Sequence, residues 1–343
     1  MSDNLDLSTQ KPKAPFWRPV LLTSAMVTVI VSVILTIFAW PVATATPKNV
    51  PVGITSYDQR IAQFIEDEFK QNQPGAFNFV EYAGVNEAKA AVALREVYGV
   101  LVINGASDLQ VLVATGASPT MAQLLNNMAV QLGNSFSDAT GYPPIRFTPV
   151  DLAPLTSKDP RGLGLSAGSL PLIIAGIVVG ILGSMRLRRR AQMFATAGIA
   201  GVLAGSAMVA ILNFWLGSLA GNYFIEVGAV ALTIAAVSLT VMGAAKLAGR
   251  GGMLAVVGLF FIIGNPLSGV ALPPELYPYG LGTFGQYLPL GAEVNLLRRI
   301  SFFPEADTLT LWITLGAWLA LGALLVTLSS LKKAKAAAVP AFN

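Results

Sequence analysis

The sequence predicts a membrane protein: a six-helix transmembrane bundle, a large α/β extracytoplasmic domain inserted between the first and second spans, and a re-entrant stretch before the last span. Three observations carry this. The chain of 343 residues is 54% hydrophobic and only 12% charged, with mean hydropathy +0.64. Soluble domains average about 25% charged residues. Apolar segments recur at 18–42, 166–185, 192–218, 223–245, 252–272 and 308–331, separated by polar connections. Finally, lysine and arginine cluster in alternate connections, which fixes orientation.

Residues 1–17 are polar and read as a cytoplasmic N-terminus. The stretch 21–39 contains no charge and meets the roughly 20 residues that a bilayer requires. Ala43-Thr44-Ala45 resembles a signal-peptidase site, but the apolar run exceeds the usual h-region of about 7–15 residues. It is read as a retained span, and the region C-terminal to it as exported.

Residues 48–165 have ordinary polarity and form the outer domain. Strands are expected at 52–55, 77–82, 98–103 and 109–114, with an edge strand at 145–152. Helices are expected at 59–70, 86–97 and 119–132. Ile61, Phe64, Ile65 and Phe69 recur at helical spacing. YGVLVI (98–103) reads as a near-continuous buried strand. Strands alternating with helices imply a mixed sheet. With no cysteine anywhere, this domain depends on packing alone.

Residues 153–165 are a linker rich in Pro, Gly and charge. The spans of 166–331 come next, then a cytoplasmic tail, 332–343. Gly176/Gly180 and Gly201/Gly205 allow close helix approach and read as packing within one bundle. Arg186, Arg188, Arg189 and Arg190 follow the second span, Lys246 and Arg250 the fourth, and Lys332, Lys333 and Lys335 the sixth. With Lys11, Lys13 and Arg18 they share one side, so both termini are expected to be cytoplasmic.

The stretch 264–304 resists assignment to either a span or an ordinary loop. Asn265-Pro266 breaks the preceding helix after about fourteen residues, since proline removes a donor and clashes with the previous turn. The freed carbonyls need protein or a cavity, unless the proline is only a tolerated kink. A turn is expected at Pro273-Pro274, then an amphipathic helix at 290–300 with Leu290, Val294 and Leu297 on one stripe. Pro289, Glu293, Arg298 and Arg299 complete the expected re-entrant path. The two arginines run against the positive-inside tendency. They read as snorkelling anchors, or as partners of Glu275, Glu293, Glu305 or anionic head groups. Glu226 reads as an interfacial residue meeting water, with a head-group site as its rival. Glu66-Asp67-Glu68 reads as a solvated helix face.

Several chemistries are excluded. No histidine or cysteine is present, which removes thiol nucleophiles, Ser-His-Asp catalysis and the commonest zinc ligands. No phosphate-binding G-x-x-x-x-G-K-[ST] occurs. No basic block interleaved with aromatics suggests nucleic acid. No span carries a central acid of the kind proton relays use. Without a catalytic constellation the chain is not read as an enzyme, and it calls for no cofactor or metal.

Two regions carry a resemblance. The first is NPLSG at 265–269 with Pro273, Pro274, YLPLG at 287–291 and LRR at 297–299. The second is NEAKAAVALREVYGVLVI at 86–103. With one span, an outer domain and five further spans, the chain resembles the type-2 permeases of ATP-binding-cassette exporters, in the branch of phage-infection-protein-like permeases. The resemblance implies a homodimer or heterodimer in a bacterial plasma membrane, served by a separate cytoplasmic ATPase and exporting a lipid, drug or envelope component. Family permeases offer that ATPase a coupling helix between the second and third spans. Here the connection is little more than 186–190. The alternative is therefore a non-transporting accessory or scaffold subunit that binds another envelope membrane protein through its outer domain.

Overall fold

A computed structural model describes residues 16–104, 109–140 and 146–338. Lys11, Lys13 and the start of the expected edge strand at Ile145 lie outside the described residues. Among those described, five helices are long and apolar enough to cross a membrane: Trp17–Ala43, Leu163–Arg186, Arg190–Trp215, Tyr223–Ile263 and Leu309–Ser329. The chain is thus a multi-pass helical membrane protein by length and composition, carrying a mixed sheet of five strands.

Helix α1 (Trp17–Ala43) leads into β1 (Val50–Ser56), α2 (Gln59–Asn72), β2 (Phe77–Glu81), α3 (Val85–Ala93), β3 (Gly99–Ile103), β4 (Leu109–Val113), α4 (Pro119–Thr140) and β5 (Thr148–Asp151). The sheet order is β2-β1-β3-β4-β5. The β3–β4 pair is antiparallel and the other three pairs are parallel. Alternation along β3 divides its side chains between the two faces. Leu101 and Ile103 join Ile65, Phe69, Met121 and Leu125 from α2 and α4. Val100 and Val102 join Ala88, Ala91 and Val92 of α3. The second layer is completed from far along the chain, by Phe303 and Ala306. This sheet unit, called the outer unit after the expected extracytoplasmic domain, therefore shares its core with the connection between the helices Pro289–Phe302 and Leu309–Ala338.

Helices α5 (Leu163–Arg186) and α6 (Arg190–Ala210) are joined by three residues, Leu187 to Arg189. Asp159 starts α5 by accepting from the amides of Leu163 and Gly164, at 2.9 and 2.8 Å. The glycine pairs are used inside the chain. A Cβ on Gly176 or Gly180 would lie within 2.8 Å of Val237 or Val241, and one on Gly201 within 2.7 Å of the Ala231 carbonyl.

Helix α7 (Tyr223–Val257) continues through a π-helical turn, Gly258–Ile263. This 41-residue path is not one rod. Gly249, at φ 68° and ψ −154°, interrupts it. The Lys246 ammonium donates to the Ser184 carbonyl at 2.6 Å, and Met253 lies 3.9 Å from the Ser184 hydroxyl. Further along, Phe260 packs edge-on against Trp318, whose carbonyl accepts from Thr240. Residues on either side of Gly249 therefore meet the same neighbours, and the chain doubles back there. Only glycine adopts this conformation at little cost.

The arm after Gly249 ends at Ile263. At 1.5 Å per residue it covers about 21 Å, less than the roughly 30 Å hydrocarbon core. Within the apolar segment 252–272 the helix thus stops short of a full crossing, as the break expected at Asn265-Pro266 requires, and is followed by turns, α8 (Leu281–Gln286), α9 (Pro289–Phe302) and α10 (Leu309–Ala338).

Phe303 is 2% exposed and forms part of the floor of the outer unit. Truncating it in Phe303→Ala should destabilise the protein by about 3–5 kcal/mol. Thermal unfolding in detergent checks this, together with proteolysis, which should release the outer unit sooner than in wild type. An unchanged unfolding profile would show that the shared core does not form.

Candidate functional site

The site lies where the outer unit meets the segment between Gly264 and Phe303. Backbone outside helix and sheet leaves carbonyls that require donors. In this segment, side chains supply most of them. Tyr277 donates to the Pro266 carbonyl at 2.8 Å. Gln286 donates to the Ser268 carbonyl at 3.2 Å. Arg298 donates through Nη1 to the Gly269 carbonyl at 2.8 Å and through Nη2 to the Val270 carbonyl at 2.9 Å. The carbonyl of Asn265 accepts from both the amide and the hydroxyl of Ser268. The break expected at Asn265-Pro266 is thus enclosed by protein. Gly285 lies so close beneath it that a Cβ would stand 1.7 Å from the Leu267 carbonyl oxygen.

The outer unit joins this network at two points. Arg95 Nη1 donates to Asn295 Oδ1 at 2.6 Å, with its guanidinium 5.3 Å from the Phe303 ring centre. Tyr98 donates to Glu275 Oε2 at 2.7 Å. Asn295 in turn donates to Gln286 at 3.4 Å. A polar chain therefore runs from the entry of β3, through α9, to the turn after Pro266. Backbone bonds from the amides of Thr46 and Lys48 to the carbonyls of Leu276 and Glu275 reinforce it.

Between these contacts lies a cavity of about 320 Å³. Arg95, Arg298 and Arg299 line it together with Glu96, Glu275 and Gln286. Among the described residues the ion pairs are Arg60–Asp58 and Lys70–Glu66, so no carboxylate pairs directly with the cavity's arginines. Burial pushes the Arg95 guanidinium down to about 10, and Arg299 and Arg298 add to the push. It remains a cation at neutral pH. Burial, with Glu275 second, pushes the Tyr98 phenol up, so it stays a donor.

Several expectations for single residues are corrected here. Arg298 does not snorkel; it turns inward onto two carbonyls. Arg299 donates to the Asp307 carbonyl, and its Nε is buried without an acceptor. Neither arginine pairs with Glu275, Glu293 or Glu305. Glu293 instead faces away from the cavity. It is fully buried, and neither carboxyl oxygen has a hydrogen-bond partner among the described residues. Leu290, Val294 and Leu297 sit in the bundle core as the stripe predicts, but the other face of α9 meets the cavity rather than a membrane surface. Pro289 opens the first turn of α9 and is buried.

Glu226 is also corrected. It does not meet water but is 0% exposed, accepting from Asn213, the Gly221 amide and Ser301 at 2.9, 2.9 and 2.7 Å. Arg186, Arg188, Arg189 and Arg190 are exposed at the short α5–α6 connection and lie apart from the cavity.

The sequence reading missed Arg95, Tyr98, Gln286 and Asn295. The available signal was Arg95-Glu96, a charged pair two residues ahead of a strand with no polar face. Comparisons with family models, with curated proteins and with solved structures found no match.

A double-mutant cycle tests the docking bond. Tyr98→Phe and Glu275→Ala should show a coupling of about 1.5–3 kcal/mol, the range for a hydrogen bond to a charged group. Unfolding free energies of the four proteins in detergent give this number. Additive effects would mean that the bond does not hold the two units together.

Proposed function

We propose that the chain is the membrane (permease) subunit of an export system, moving a lipid or another envelope component outward and energised by a separate ATPase. The observation that carries this reading is the polar cavity between the folded outer unit and an enclosed break in the membrane segment. An amphiphile leaving a bilayer needs a place where a polar group is sheltered while its apolar part remains against protein or lipid.

The reading takes Gly249 as a turn between the fourth and fifth crossings, the fifth being completed by the short arm together with the enclosed non-helical segment after Ile263. Six passages then put both termini in the cytoplasm of a bacterial cell. Support comes from the basic clusters. Arg186 to Arg190 and Lys246 with Arg250 lie at one end of the bundle, tied together by the Lys246–Ser184 bond. The outer unit joins the chain at the opposite end, and positive charge favours the cytoplasmic side. A dimer, as the resemblance implies, belongs to the same reading.

A second reading is favoured by one specific observation. The α5–α6 connection is only Leu187 to Arg189, leaving no coupling helix for an ATPase. In that reading the chain is an accessory subunit whose outer unit binds another envelope membrane protein.

Purification from native membranes separates the two. Export predicts a co-purifying ATPase and loss of export when Arg186, Arg188, Arg189 and Arg190 are changed together to alanine. Recovery of an envelope membrane protein without an ATPase, with the four-alanine variant fully active, would establish the accessory role. A carboxyl-terminal tag reachable from outside intact cells would overturn the six-pass arrangement.

A further inference from the structure

We propose that the junction cavity binds a phosphate group, that of a phosphomonoester, through Arg95, Arg298 and Arg299. This deepens the reading above by naming a chemical class for the cargo. The phosphate chemistry rests on the cavity alone, and only the lipid source depends on the transport reading.

Charge comes first. Three guanidiniums from two remote parts of the sequence line a space of about 320 Å³. Like charges brought together out of water are costly unless an anion compensates them. Two carboxylates line the same space, Glu275, which accepts from Tyr98, and exposed Glu96, so three cations face two anions there. Neither carboxylate forms an ion pair with the arginines.

The same arginines keep donors in reserve. Arg298 spends both terminal nitrogens on carbonyls, so it contributes fixed charge and holds the wall. Arg95 spends Nη1 on Asn295, leaving the rest of its fork. Arg299 spends Nη1 on the Asp307 carbonyl, and its Nε, sealed from the cavity, has no acceptor among the described residues, so Nη2 is the donor it keeps in reserve. Guanidinium forks match phosphate oxygens in pairs, and three guanidiniums against two carboxylates leave an excess of positive charge for an anion to answer.

Arg95 closes α3. At φ 59° it is the left-handed residue of the helix C-cap, its amide donating to the Val92 carbonyl and that of Glu96 to the Ala91 carbonyl. The cap turns the chain toward β3 and sets Arg95 beside Asn295 of α9.

Depth in the membrane is marked by aromatic residues. Tyr279 is 85% exposed and stacks with Trp40 of α1 at 6.4 Å, four residues from Glu275. Exposed aromatics of this kind gather at head-group level. A phosphate there comes either from a lipid head group or from a soluble phosphomonoester.

The test uses the full chain in phosphatidylcholine nanodiscs, without ATPase or transport. Probes are inorganic phosphate, glycerol 3-phosphate and phosphatidic acid, followed by native mass spectrometry and thermal shift. Phosphatidic acid binding without the soluble probes supports the site and assigns the lipid source. Binding of the soluble probes as well supports the site and assigns the free anion. Arg299→Gln and Arg95→Gln should each weaken binding at least tenfold. Glu275→Gln should tighten it several-fold, a gain that misfolding cannot mimic. No binding of any probe, or wild-type binding in both arginine variants with no gain in Glu275→Gln, would overturn the proposal. Those outcomes leave the transport reading standing, while a missing ATPase leaves the phosphate site standing.

Discussion

The constraint behind this architecture is the need to satisfy carbonyls released where a helix stops inside an apolar bundle. Unpaired backbone groups in such surroundings cost several kcal/mol each. After Ile263 the chain leaves helical geometry, and the carbonyls of Pro266, Ser268, Gly269 and Val270 receive donors from Tyr277, Gln286 and Arg298. Those side chains need supports of their own. Asn295 and Arg95 provide them, and Arg95 belongs to the outer unit. The outer unit is therefore part of what lets the membrane segment break.

Burial adds to this coupling. The sheet face bearing Val100, Val102 and Leu112 is closed partly by Phe303 and Ala306, and the opposite layer takes in Leu276. Each large apolar side chain so buried stabilises by about 1.5–3 kcal/mol. Because both layers draw on the segment after Ile263, the outer unit cannot rotate on the bundle without exposing core from both sides of its sheet.

The outer unit was legible because its signals are local. Short apolar runs such as Leu109–Val113, and helical spacing in Gln59–Asn72, declare strand and helix without reference to partners. The break at Asn265-Pro266 was legible for the same reason, since proline acts on its own turn. What escaped was decided by distant neighbours. Gly249 lies in a run of small residues that reads equally well as a loop between spans or as a helix, and the lengths of its two arms depend on where Phe260 meets Trp318. The arginines of α9 looked like surface anchors because amphipathicity describes a helix's faces but not what covers them. Glu226 looked solvent-facing from its place near a span's end, yet Asn213 and Ser301 reach it from elsewhere in the chain.

Helix α9 is where the site and the bundle meet. Its 14 residues are too few to cross a bilayer, yet both sides are engaged. One side carries Asn295, Arg298 and Arg299 into the cavity wall. The other sets Leu290, Val294 and Leu297 in the bundle core, with Glu293 buried there unpartnered. A short rigid helix moves as a unit, so a displacement at the cavity is also a displacement in the core. Glu226 extends the link through Ser301 to the start of α7. The cavity wall and the packing of the membrane helices are two faces of one element, which is why a site at the margin of the bundle is mechanically part of it.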